Sequence, residues 1–130
     1  MHVVRALDLS SQAASREASP EIEIKLNNLV GEAVSQGLSH FGGDDVVESL
    51  IYILELEHSV NLRNIVNQVG EFRKGLTKMF GDAAYVVEGH VCSNLAKTMG
   101  LDPEGRTLEE LIETARSFVN ESYEQNSKML

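Results

Sequence analysis

Glu55 and His58 stand three residues apart, the spacing at which di-iron carboxylate bundles present a glutamate and a histidine from one helix to a metal pair. That chemistry needs a second copy of the pair and two further glutamates. The chain offers no second copy, since Glu88 and His90 are only two apart. His90 and Cys92 share this shorter spacing, and on a helix side chains so placed diverge by about 200°, which keeps them from holding one ion. Gly42-Gly43-Asp44-Asp45 has paired glycines but lacks the lysine and the longer glycine spacing of a P-loop. Its two carboxylates repel any phosphate placed there. The plainer readings are a solvated helix end at Glu55 to His58, a His90 half buried against the preceding helix, and a Cys92 that is a small filler or a surface thiol. No catalytic, cofactor or metal residue is assigned, and the chain is expected not to be an enzyme.

Arg73, Lys74 and Lys78 form a basic strip on a helix that is followed by a turn and a second helix, the arrangement of a helix-turn-helix. The second helix carries Asp82 and Glu88 in its N-terminal half, where a recognition helix meets phosphates. The chain as a whole sets 20 acids against 11 bases, and the resulting charge of −9 opposes attraction to nucleic acid or anionic lipid. Charge also changes sign along the sequence. Residues 42 to 58 carry Asp44, Asp45, Glu48, Glu55 and Glu57 with no lysine or arginine, whereas residues 61 to 81 carry Arg63, Arg73, Lys74 and Lys78 against Glu71 alone. The two segments are candidates to pair within the fold or between subunits, although exposed charge pairs contribute little individually.

These side chains must be positioned by helices. Ser19 reads as an N-cap and Pro20 as a first helical residue, and Ile22, Leu26, Leu29, Val30, Ala33, Val34 and Leu38 then keep one face to about Ser39. After Gly42-Gly43, Asp44 or Asp45 starts a second helix with Val46, Val47, Leu50, Ile51 and Leu54 as its buried stripe. Asn61 is placed to cap a short helix bearing Leu62, Ile65 and Val66, and a third long helix covers roughly Glu71 to Phe80. Gly81 is expected to end it in a left-handed cap and Asp82 to cap the next, which runs with helical period to a C-terminal Gly100 with Leu101 beside it. Thr107 and Glu110 make a capping-box pattern ahead of a last helix bearing Leu108, Leu111, Ile112, Ala115, Phe118 and Val119, which is expected to fray toward Leu130. No segment has the alternation of a strand. The fold class is all-α, a single compact bundle of five or six helices with short connections spanning residues 19 to 130, behind an arm or linker at residues 1 to 18.

The motif Phe72-x-x-Gly-Leu-x-x-Met-Phe-Gly-Asp-Ala-Ala-x-Val-Val-Glu88, the apolar helix ending at Gly100-Leu101 and the Thr-Leu-Glu-Glu-Leu start at Thr107 resemble a small archaeal family, the Nitrosopumilus output domain. The likeness spans about residues 42 to 117. It implies an all-helical module of archaeal regulatory systems, found alone or attached to signalling domains, and brings no catalytic residues with it.

A lone cysteine, a charged N-terminal start with no signal-peptide core and no apolar run of the roughly 18 to 20 residues that cross a bilayer give the expectation of a cytoplasmic protein with no membrane partner. Ser10, Ser11, Ser15 and Ser19 are read as linker serines rather than phosphorylation sites. The leading expectation is a noncatalytic regulatory or interaction module that docks on a protein partner or a second copy of itself. Val3, Val4 and Leu7 and the strip Arg73, Lys74 and Lys78 are its candidate contacts, each suited to the acidic second helix of a neighbour. The alternatives are a helix-turn-helix regulator of nucleic acid and a small-molecule sensor with a pocket along Ala83 to Met99.

Overall fold

The computed structural model describes residues 20–129. Five α-helices occupy them: α1 (Pro20–Leu38), α2 (Asp44–His58), α3 (Val69–Phe80), α4 (Ala84–Thr98) and α5 (Leu108–Met129). Short 3-10 turns intervene at Ser39–Phe41, Leu62–Asn67 and Gly81–Ala83, and no strand occurs among the described residues. The all-helical bundle expected from apolar periodicity is the observed fold. The arm at residues 1 to 18, with Val3, Val4 and Leu7, and the Ser19 cap lie outside the described residues.

α1 is the central helix. Leu26, Val30, Val34 and Leu38 repeat every four residues and are all fully buried, so one face of α1 is sealed along its length. α4 lies closest against it. A Cβ at Gly37 would come within 2.8 Å of the Val91 Cγ2 atom and 3.2 Å of the Val91 backbone nitrogen, so the missing side chain sets the α1–α4 separation. Gly75 plays the same part between α3 and α2, where a Cβ would meet Leu54 Cδ2 at 2.8 Å. Phe72 and Leu76 of α3, Val87, Val91 and Leu95 of α4, and Leu108, Leu111 and Ala115 of α5 close the core around α1. Each large side chain removed from water in this way contributes about 1.5 to 3 kcal/mol.

Local signals define most helix ends. Asn61 Oδ1 accepts from the Arg63 N–H at 2.9 Å, as an N-cap does. The Thr107 hydroxyl accepts from the Glu110 N–H at 3.1 Å while Glu110 Oε1 accepts from the Thr107 N–H at 3.2 Å, a complete capping box. At the end of α4, Leu101 N–H donates to Ala96 O at 2.8 Å and Gly100 N–H to Lys97 O at 3.0 Å, with Gly100 at φ +71°. This is the Schellman pattern, and Leu101 packs on the core as its apolar partner.

Two sequence expectations need correction. Gly81 has φ 59° but ψ −130°, so it is an extended positive-φ residue rather than a left-handed cap. Asp82 caps neither the 3-10 turn nor α4, because it lies inside the turn Gly81–Ala83 and the residue that precedes α4 is Ala83, already in the right-handed helical region and without a side chain that can accept from an N–H. α4 accordingly starts at Ala84, and α3 begins two residues earlier than the periodicity suggests, at Val69.

The connection between α2 and α3 is held by amides. Asn61 N–H donates to Gln68 Oε1 at 2.8 Å and Gln68 Nε2 donates to Ser59 O at 2.9 Å. From α1, Asn27 is the one buried polar residue among those described; it donates to Glu23 O at 2.8 Å and its Oδ1 accepts from the Val66 N–H at 3.0 Å. Arg116 joins α5 to α1 through an ion pair with Glu23.

Candidate functional site

α2 has the composition of a core helix and the position of a surface one. Of its 15 residues only Val47 and Leu54 are buried, Leu50, Ile51, Ile53 and His58 are half buried, and Tyr52 and Leu56 are 62% and 65% exposed. With 100° per residue, Ser49, Tyr52 and Leu56 form a ridge opposite Val47 and Leu54, and Val46 and Ile53 flank it on one shoulder. Val46 is 41% exposed, so the buried stripe assigned to it from sequence is corrected. The spacing had two solutions, because apolar residues occupy both the Val47–Leu54 side of α2 and the side opposite it, and the packing against α3 and the turn after α1 selected one of them. Glu48 and Glu55 border the outward strip on one side and Glu57 on the other, all exposed.

The three residues of the basic strip part company. Arg73 donates through Nε and Nη2 to both oxygens of Glu88, each at 2.9 Å, and through Nη1 and Nη2 to Glu109 at 2.9 and 3.0 Å. One guanidinium thus ties α3 to α4 and α5 in two bidentate pairs. These hydrogen bonds raise the Arg73 pKa above its already high value and hold the Glu109 carboxyl below the usual range. Lys74 and Lys78 remain exposed on α3. The partners of Arg73 are therefore on α4 and α5, not on the acidic α2 that charge asymmetry suggested.

The pairs are partly exposed, with Arg73, Glu88 and Glu109 side chains 42%, 22% and 55% accessible, and solvent screening lowers their worth. Arg73→Met should cost about 1 to 2 kcal/mol in urea unfolding at neutral pH, where two carboxylates are left facing each other. The sign with pH is fixed by the lowered Glu109 value. Stability from the pair is present above the unfolded carboxylate range and is lost as pH falls through the folded value, so the gap between wild type and variant should narrow in acid.

The remaining chemical candidates separate. Glu55 is exposed, whereas His58 is half buried beside Gly75 of α3. His90 is half buried, as expected, and lies against His40 of the turn after α1, ring centroids 4.1 Å apart and 31° from parallel. Phe41 stacks on Phe80 at 4.9 Å in the same corner, and His40 meets Phe41 edge-on. The sequence could not show this corner, because three separate elements supply it. Among the described residues no group of three or more His, Cys, Asp or Glu is placed to hold a metal.

Cys92 is buried, and burial followed by the nearby Glu88 charge pushes its thiol up to about 11. A shift from 9.0 to about 11 reduces the thiolate at pH 8 roughly a hundredfold. The native protein should react with a disulfide reagent at least that much more slowly than the protein in guanidinium, as read by thiolate release.

Among the described residues, clefts open to solvent at two places of note. One of about 560 Å³ lies between α1, the start of α2 and Leu62–Arg63, lined by Asn27, Ser35, Gln36, Asp44 and Arg63. The other, about 1050 Å³, runs along Tyr85, Gly89 and Ser93 of α4 to Asp102 and Arg106. Among the described residues no buried side-chain nitrogen or oxygen lacks a partner. No helix among the described residues is long and apolar enough to cross a membrane. No family model, no curated protein and no solved structure matches the chain, and its fold and surfaces therefore stand on their own geometry.

Proposed function

We propose that this protein is a noncatalytic helical interaction module of a regulatory system, which docks on a protein partner through the outward face of α2. The observation that carries this reading is the exposure of Tyr52 and Leu56 one helical turn apart, continued by Val46 and Ile53, on an element with only two buried residues. Single exposed apolar residues are ordinary, whereas several gathered on one side of a helix are the mark of a docking face. The three-and-four spacing of Val46, Ser49, Ile53 and Leu56 is that of a helix–helix seam. The resemblance to the archaeal output domain over about residues 42 to 117, from α2 to the first turns of α5, supports the regulatory part of the reading.

A photo-crosslinking residue at position 52, introduced into the full chain in its native cells, tests the assignment. The expected result is a discrete adduct of one size at position 52 and none at position 97, an exposed site on α4. Equal or absent crosslinking at the two positions would sink the proposal.

A further inference from the structure

Resting on that reading, we infer that the α2 face receives a basic amphipathic helix of another protein. The charge around the strip selects this occupant. Asp44, Asp45, Glu48, Glu55 and Glu57 lie on α2 with no lysine or arginine among them, and all five are exposed. Glu48 and Glu55 stand on one edge of the ridge, Glu57 on the other and Asp45 at its N-terminal end, so a docked helix meets carboxylates on both flanks and at one end. Lysines or arginines at the flanking positions of the partner meet opposite charge there, while leucine-like residues at three-and-four spacing pack on Tyr52, Ile53 and Leu56.

A symmetric pairing of two copies through this face does the reverse, because it brings both sets of five carboxylates together. The cation best suited to reach the acidic edge of a neighbouring copy, Arg73, is already held by Glu88 and Glu109. Lys74 and Lys78 sit on a different helix from the acidic face, so a second copy can use them only if α3 of each copy meets α2 of the other, and two lysines then face five carboxylates. The docking length is set as well. α2 extends for 15 residues, about 22 Å, which matches a partner segment of roughly four turns.

The probe is a labelled synthetic helix of about four turns with leucine at three-and-four spacing and lysine elsewhere, titrated with the full chain and followed by fluorescence anisotropy. A matched peptide with glutamate in place of lysine is the control. Binding of the basic peptide is expected, with no binding of the acidic one and a loss of affinity of tenfold or more on Leu56→Glu or Tyr52→Glu. Both residues are exposed, so the variants keep the helical circular dichroism of the wild type. The direction is diagnostic, since each variant makes the chain more acidic and strengthens a merely general attraction to lysine. Unchanged or tighter binding by Leu56→Glu, equal binding of the two peptides, no binding of the basic peptide at low salt, or dimerisation abolished by Leu56→Glu would each overturn the inference. A discrete adduct at position 52 alongside a failed peptide would leave the docking face and remove the basic helix as its occupant.

Discussion

Gly37→Ala is expected to destabilise the protein by about 1 to 3 kcal/mol, although alanine is the better helix former by about 1 kcal/mol. The reason is the α1–α4 contact. The new methyl would lie 2.8 Å from Val91 Cγ2, which a rotamer change can relieve, and 3.2 Å from the Val91 backbone nitrogen, which only a shift of α4 can relieve. α4 is fixed from its other side by α5 and by the Arg73 pairs to Glu88 and Glu109, so the shift is resisted. Gly89, on the same helix as Val91 but on its exposed face, is the matched control, because a Cβ there meets nothing within 4 Å. Gly89→Ala should stabilise by about 0.5 to 1 kcal/mol through the lost freedom of the unfolded chain. Thermal unfolding should therefore move in opposite directions for the same chemical change, by about 3 to 6 °C per kcal/mol in a domain of this size. A stabilised Gly37→Ala would show that the close approach of α1 and α4 is not set by that glycine.

The second large effect is expected at Asn27. Its side chain completes two backbone groups at once, the Glu23 carbonyl within α1 and the Val66 amide of the Leu62–Asn67 turn. Asn27→Leu keeps the volume and removes both, and the Val66 N–H loses its partner beside the core. Such an orphaned donor costs about 1 to 3 kcal/mol. The loss of the Glu23 contact matters less, since that carbonyl already accepts the helical bond from the residue-27 amide. The two contributions can be told apart by hydrogen exchange. Protection at the Val66 amide should fall more than protection at amides in the middle of α1, and equal losses at both would assign the effect to general loosening of the core.

Much of the fold was legible because it depends on contacts within a few residues. Periodic Leu26, Val30 and Val34 define α1, Thr107 and Glu110 start α5, and Gly100 with Leu101 ends α4, each from a pattern shorter than about three helical turns. The failures occurred where local rules were ambiguous. Asp82 is a good capping residue that falls inside a 3-10 turn, one place too early to precede α4, and Gly81 takes a positive φ that composition permits without specifying its ψ. On α2 the sequence offers apolar residues on two opposite sides and no basis for choosing between them.

The candidate site was legible in its charges and hidden in its geometry. That residues 42 to 58 are acidic and apolar is a property of the sequence, as is the absence of a second glutamate–histidine pair. Which residues of α2 face solvent was decided by the Gly75 contact, which draws Leu54 and His58 toward α3 and turns Tyr52 and Leu56 outward. In the same way Arg73 was identifiable as a cation, but its engagement by Glu88 and Glu109 required α4 and α5 to converge on α3 from 15 and 36 residues away. The stacking of His40 on His90 is a further case. Sequence alone determined the helices, most of their ends and the sign of charge along them, because capping, periodicity and composition act over short distances. Tertiary structure alone decided which face of α2 is free and which cation is spent, because those outcomes depend on how closely two helices approach, and that distance is set by residues far apart in the chain.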